Sequence, residues 1–143
     1  MKEFLVSRFK GRSAGFYIGF AAAALILAFD IAYIAALSGD RNFSALVFAL
    51  MLAGSLLMLV YSLLNIKLLD FIPAVSCILY GVAFGQHLFL ALESLSDVWN
   101  GVNFVGGNAT LGAVFIGLFF VPMVAAIVAA FMREERAEVR TEI

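Results

Sequence analysis

The chain is poor in the residues that most catalytic and metal sites need. Its 143 residues include one cysteine, Cys77, and one histidine, His87, and 13% of them are charged. A single cysteine excludes an intramolecular disulfide and a CxxC pair, and a single histidine excludes a multi-histidine metal site. Ser76 lies too far from His87 on the same predicted helix to be activated as a nucleophile. We therefore expect no enzymatic activity, no cofactor and no metal site.

Basic residues are also scarce, and the formal net charge is -1. Binding of nucleic acid needs a clustered basic face, so we expect no nucleic-acid partner. The chain is instead rich in apolar residues, which make up 64% of it, whereas soluble domains are roughly half apolar. This composition predicts an integral membrane protein with the lipid bilayer as its first partner.

Four apolar stretches are long enough to cross a bilayer, which takes about 20 residues. The first follows a basic N-terminus, but it is too long for the core of a signal peptide, so we interpret it as an uncleaved span. The sequence predicts an all-α fold with one transmembrane domain over residues 1–143, a four-helix bundle. The predicted spans are about 13–37, 43–66, 71–92 and 109–132, with an outer loop over 93–108 and tails over 1–12 and 133–143.

Basic residues lie almost entirely on one side of this topology, and the positive-inside rule places that side in the cytoplasm. Both tails are then cytoplasmic, in a multi-pass protein of the plasma membrane, or inner membrane of bacterial type. Residues 1–12 form either a short interfacial helix or a frayed basic tail. The basic residues on the predicted inner side are Lys2, Arg8, Lys10, Arg12, Lys67, Arg133, Arg136 and Arg140, against Arg41 on the outer side.

Small residues recur at helical spacing, which predicts close contacts between helix backbones. The third predicted span has small or polar residues on every side, so we expect it to be the central helix. These small faces exceed what four short spans need, which predicts a homo-oligomer or a complex with a larger membrane partner. The predicted packing residues are Gly15, Gly19, Gly54, Gly81, Gly85, Ala113 and Gly117.

Polar residues mark the helix ends. Asn42 or Ser44 is predicted to cap the second span, Asp70 the third and Asn108 the fourth, because each can accept a hydrogen bond from a free N–H group in the first turn. Pro122 falls inside the fourth span, where a proline predicts a kink.

The predicted outer loop combines glycines with aromatic and amide side chains. Long loops in compact proteins are typically lids, binding loops or disordered segments, and the aromatic residues argue against disorder. We therefore predict a lid over the outer mouth of the bundle. Its residues are Trp99, Asn100, Asn103 and Phe104.

Asp30 and His87 are ionisable residues predicted to lie within the spans, where such residues are rare and usually functional. The first and third spans run in the same direction, and at about 1.5 Å per residue both side chains lie about 8 to 10 Å below the outer surface. An aspartate and a histidine at equal depth can pair and bind or relay a proton. The predicted polar site consists of Asp30, His87, Gln86, Glu93, Tyr33 and Tyr80.

Two functions agree with this pattern. The first is a non-catalytic accessory or oligomeric subunit, in which Asp30 bonds to Tyr33, Tyr80 or His87 only to fix the packing of helices. The second is a small proton-coupled transporter or channel that uses the pair of Asp30 and His87 near the outer surface. The lack of catalytic groupings favours the first function, which is therefore our expectation, and the intramembrane ionisable pair makes the second the alternative.

Overall fold

The computed structural model describes residues 2–64 and 66–132, and within these ranges the chain is helical and contains no strand. The predicted all-α fold is confirmed. Met1 and the predicted tail over 133–143 lie outside the described residues. The helices are α1 (Lys2–Phe9), α2 (Ala14–Leu37), α3 (Ala45–Leu64), a 3-10 turn (Lys67–Leu69), α4 (Ile72–Asn100) and α5 (Ala109–Phe131).

Helices α2 to α5 are each long and apolar enough to cross a membrane, as predicted. The longest, α4, has 29 residues. At 1.5 Å per residue it rises about 43 Å, more than the roughly 30 Å of a hydrocarbon core. The predicted loop over 93–108 is therefore shorter in the structure, because the helix continues to Asn100. Helix α4 ends at Asn100 and is followed by its C-cap residue, Gly101, whose φ of 66° is a left-handed conformation that glycine adopts readily.

The four long helices form a ring in which α2 and α4 each pack against both α3 and α5. Helices α2 and α4 thus lie diagonally opposite each other. The prediction that the third span is central is wrong, because α4 occupies one corner. Gly81 and Gly85, which suggested protein contacts on that side, are exposed, and a Cβ atom added to either would meet nothing within 4 Å.

The predicted packing residues divide into a buried and an exposed set. At Gly19 an added Cβ atom would lie 2.7 Å from Cε of Met58, and at Gly54 it would lie 2.8 Å from Cε1 of Tyr80. These two glycines allow α2 and α4 to approach α3. Gly15 is also buried. The exposed set consists of Gly81, Gly85, Ala113 and Gly117.

The helix ends agree with some of the predicted caps. Oδ1 of Asn108 accepts a hydrogen bond from the Leu111 N–H at 3.0 Å and caps α5, as predicted. Oγ of Ser44 accepts from the Val47 N–H at 3.4 Å at the start of α3. The N-cap position of α4 is Phe71, and the preceding Asp70 accepts a hydrogen bond from the Tyr61 hydroxyl through its Oδ1. Helix α5 is continuous through Pro122.

The two ends of the bundle are formed by different segments of the chain. We call the end with the connections over 38–44 and 101–108 the far end, and the end with α1 and the 3-10 turn the near end. At the near end the Phe9 ring packs against Phe16 and Phe20, and the Arg12 guanidinium lies 4.7 Å from the centroid of the Phe16 ring. Residues Lys2–Phe9 are helical, as one of the two alternatives for residues 1–12 predicted.

Candidate functional site

A column of buried polar side chains follows the core-facing side of α4. Their spacing of three, four or seven residues places them on one face of the helix. Ala83 and Ala91 are buried on the same face, so the column faces the interior along the length of α4. The polar residues of this column are Ser76, Tyr80, His87, Ser94 and Asp97.

His87 lies fully buried near the middle of this column. Its Nε2 is 3.1 Å from the carbonyl oxygen of Gly112 in α5. Because a carbonyl oxygen only accepts hydrogen bonds, Nε2 carries the hydrogen and donates it. The other ring nitrogen, Nδ1, has no hydrogen-bond partner among the described residues.

Aromatic rings enclose the imidazole of His87. The ring centroids of Tyr33, Phe119 and Phe115 lie 5.4, 5.8 and 6.4 Å from the imidazole centroid, each in an edge-to-face arrangement. Tyr33 belongs to α2, so its contact with His87 joins the two diagonal helices across the core. The site therefore has apolar, aromatic walls and is closed to solvent.

Asp30 is fully buried on α2, one turn before Tyr33. Neither of its carboxyl oxygens has a hydrogen-bond partner among the described residues. The Tyr33 hydroxyl donates instead to the carbonyl oxygen of Asn42 at 3.0 Å, and the Tyr80 hydroxyl donates to Oγ of Ser55 at 3.3 Å. The expected bonds from Asp30 to Tyr33, Tyr80 or His87 are therefore absent from this part of the chain.

The structure brings Asp30 and His87 into one core without a direct hydrogen bond between them. Four buried side-chain atoms lack a partner within the described ranges: Oδ1 and Oδ2 of Asp30, Nδ1 of His87 and Oγ of Ser76. Most buried polar groups in folded proteins are hydrogen-bonded, so each exception needs an explanation. The atoms of Asp30 and His87 form the candidate site, and Ser76 lies about three helical turns before His87 on α4, towards the near end.

The far end is closed by hydrogen bonds around Asn42, which is fully buried. Its Nδ2 donates to the Asn108 carbonyl oxygen at 3.0 Å, and its Oδ1 accepts from Oγ of Ser94 at 2.7 Å. The carboxylate of Asp40 accepts from the Asn108 N–H at 3.0 and 3.1 Å and from the Asn42 N–H at 2.9 Å. The connection over 38–44 is thus tied to both α4 and the start of α5.

Asp97 and Ser94 fasten the connection over 101–108 to the end of α4. Oδ2 of Asp97 accepts from the N–H groups of Val105 and Gly106 at 2.5 and 3.3 Å. Oγ of Ser94 lies 2.7 Å from both the Gly106 carbonyl oxygen and Oδ1 of Asn42, and these two acceptors share its single hydrogen. Gly107 follows with a φ of 88°, and a Cβ atom there would lie 2.9 Å from Oγ of Ser94. Sequence reasoning missed this network, since it interpreted Asn42 only as a cap.

The remaining predicted site residues lie outside the core. Gln86 is half-buried, and Oε2 of Glu93 is 2.9 Å from Nη2 of Arg41 in a largely exposed ion pair. Trp99 and Phe104 are 90% and 89% exposed, so they do not cover Asp30 or His87. Asn100 and Asn103, the other residues of the predicted lid, are exposed too. The far end is closed by Asn42 and Ser94 and not by the predicted lid residues.

Comparisons of the chain with protein-family models, with curated proteins and with solved structures find no match. The class of the protein is therefore defined by its own fold. It is a small multi-pass membrane protein with four apolar helices and an outer surface that contacts lipid. Its function has to be inferred from the residues of its polar core.

Proposed function

We propose that this protein is a small proton-coupled transporter or channel in which Asp30 and His87 bind the coupling proton. The observation that carries the proposal is the burial of three unpaired atoms, both carboxyl oxygens of Asp30 and Nδ1 of His87, in one core. Leaving a buried polar group without a partner costs about 1–3 kcal/mol, and more for a charged group. Ionisable residues retained at such a cost inside a membrane usually serve ion or proton pathways.

Polar side chains on both sides of Asp30 support a proton route along the core. Towards the near end lie Tyr80 and Ser55, which are hydrogen-bonded to each other, and towards the far end lies Tyr33, which is bonded to Asn42. Transport requires that access to the site alternates between the two ends. The far-end network is closed in this structure, so the proposal requires a second state in which it opens.

The proposal includes an orientation and a location. We place the protein in a plasma membrane, and the distribution of basic residues favours both termini in the cytoplasm, which places the far end outside. In that orientation the closed network around Asn42 and Ser94 separates Asp30 from the exterior. Because Asp30 is fully buried here, proton exchange with the cytoplasm requires a further state that opens towards the near end.

Proton flux into liposomes tests the proposed function. With a pH-sensitive dye inside and an imposed pH gradient, the wild type is expected to raise the rate of proton flux above that of empty liposomes. Asp30→Asn is expected to lower this added rate at least tenfold, because an amide cannot bind the proton. Asp70→Asn, which changes an exposed aspartate in a connecting turn, is expected to keep the wild-type rate. Equal rates in all three proteins would contradict the proposal.

A second candidate function is that of a non-catalytic accessory or oligomeric subunit. It is favoured by the exposed glycines of α4 and α5, namely Gly81, Gly85 and Gly117, above which an added Cβ atom meets nothing within 4 Å. Glycine lowers helix stability by about 0.5–1 kcal/mol relative to alanine, so exposed glycines need a compensating contact outside the bundle. Small residues at helical spacing allow another transmembrane helix to approach closely.

Native mass measurements on gently extracted protein test the second candidate. A homo-oligomer or a complex with a larger partner is expected for the wild type and for Asp30→Asn. Gly85→Leu is expected to weaken that association while leaving the melting temperature of the single chain within a few degrees of wild type, since the added side chain has open space. Val82→Leu, at another exposed position of α4, is the matched control. A monomeric wild type would rule out this candidate.

A further inference from the structure

We infer that the core site takes a small organic cation rich in N–H donors, a guanidinium or primary ammonium group, in exchange for protons. This inference rests on the proposed function, because the cation would occupy Asp30 when the proton has left it. It goes further by naming the chemical class of the substrate. The unpaired acceptor atoms of the site, the lack of free donors around it and its aromatic walls point to this class of ligand.

The unpaired atoms of the site are hydrogen-bond acceptors. Nε2 of His87 donates its hydrogen to the Gly112 carbonyl oxygen, so Nδ1 of the neutral ring presents a lone pair. An ionised Asp30 adds two further acceptor oxygens, both without a partner in the described ranges. A ligand that satisfies this site must therefore bring several hydrogen-bond donors.

The chain uses its nearby donors elsewhere. The hydroxyl of Tyr33 donates to the Asn42 carbonyl oxygen, and the hydroxyl of Tyr80 donates to Oγ of Ser55. No basic side chain faces Asp30 from the neighbouring helices, because Ala45–Leu64 and Ala109–Phe131 contain no charged residue. On the diagonal helix α4, the His87 ring contacts Tyr33, which lies one turn from Asp30 on α2. A carboxylate without an internal cation or donor selects a ligand that carries both.

The walls of the site suit an organic cation better than a hydrated metal ion. The rings of Tyr33, Phe115 and Phe119 surround His87, and aromatic rings attract organic cations through their electron-rich faces. The described residues contain no group of three or more His, Cys, Asp or Glu side chains that could hold a metal ion. Carboxylate, imidazole nitrogen and aromatic rings together match the N–H groups, charge and apolar surface of such a cation.

The exchange balances in charge. The carboxylate of Asp30 holds either one proton or one monovalent cation, so each full cycle moves one positive charge in each direction. The process is therefore driven by a proton gradient and does not depend on the membrane potential. No covalent bond is made or broken in the substrate.

Uptake of radiolabelled guanidinium into liposomes with an acidic interior tests the inference. Guanidinium is permanently charged and carries N–H donors, whereas tetramethylammonium and potassium ions carry the same charge without donors. We expect wild-type uptake of guanidinium to exceed that of either control ion at least tenfold. Asp30→Asn and His87→Phe are expected to lose this uptake, because each removes acceptors, and Asp70→Asn is expected to retain it.

The outcomes separate this inference from the proposed function. Proton flux that depends on Asp30, without selective uptake of guanidinium, would overturn the inference and leave the proposed function standing. Uptake of tetramethylammonium as fast as that of guanidinium would overturn the donor argument. An exchanger moves protons only against its cation, so this arm of the test supplies guanidinium on the side opposite the protons. A wild type that moves neither protons nor guanidinium under these conditions would overturn both. The comparison of the three cations uses only the wild type, so it holds even where a variant fails to fold.

Discussion

Replacing Asp30 with leucine is expected to stabilise the protein against unfolding by about 1–3 kcal/mol, the cost of leaving a buried polar group unsatisfied. Leucine branches at the same carbon as aspartate and suits the apolar core around it. The stability can be followed in detergent micelles by the reaction of a thiol-specific dye with Cys77, the single cysteine, which is partly buried. A higher melting temperature for Asp30→Leu than for wild type is the expected result.

Asp97→Leu is the matched control for this prediction, because Asp97 is also a buried aspartate. Its carboxylate accepts two backbone N–H groups, from Val105 and Gly106, so its loss is expected to lower stability by about 1–3 kcal/mol. The two substitutions should thus have opposite signs. Destabilisation by both Asp30→Leu and the smaller Asp30→Ala would show that Asp30 is paired in the folded protein.

Asn42→Leu is expected to destabilise the protein by about 2 kcal/mol, since two buried side-chain hydrogen bonds contribute about 1 kcal/mol each. These are the bonds to the Asn108 carbonyl oxygen and from Oγ of Ser94. Gly107 and Gly112 both lie close to the Asn42 amide, so the bulkier leucine also has little room to move. The unfolding midpoint of this variant can be measured with the same Cys77 reaction.

Asn100→Leu is the control for the far-end network. The amide of Asn100 is exposed and, among the described residues, bonds to Ser96, one turn earlier on α4. Exposed substitutions of this kind usually change stability by less than about 0.5 kcal/mol. Equal effects of Asn42→Leu and Asn100→Leu would indicate that the network contributes no stability.

The two predictions separate two kinds of polar residue in one bundle. At the far end, Asn42, Ser94 and Asp97 have partners and hold the connecting segments together. In the middle, Asp30 and His87 retain unpaired atoms. A residue that lowers stability and remains in the core is more readily explained by binding than by packing, which is why the proposed function starts from Asp30.

The sequence by itself was sufficient for the four apolar helices and for the placement of Asp30 and His87 inside the bundle. Length and hydropathy determine a membrane span, because the bilayer core has a fixed thickness and each helical residue a fixed rise. The cap at Asn108 was predictable for a similarly local reason, since it bonds to Leu111 within the first turn. All of these features depend on neighbours along the chain.

Only the tertiary structure decided which helices face each other and which polar atoms find partners. Helical periodicity shows that Gly81 and Gly85 share a face, but it does not show whether protein or lipid lies opposite. The order of the four helices around the bundle leaves both glycines exposed. The bond between Asn42 and Ser94 joins residues far apart in the chain, as does the contact of Tyr33 with His87. Because each helix can rotate and exchange neighbours without changing its own pattern, these pairings arise only when the whole bundle packs.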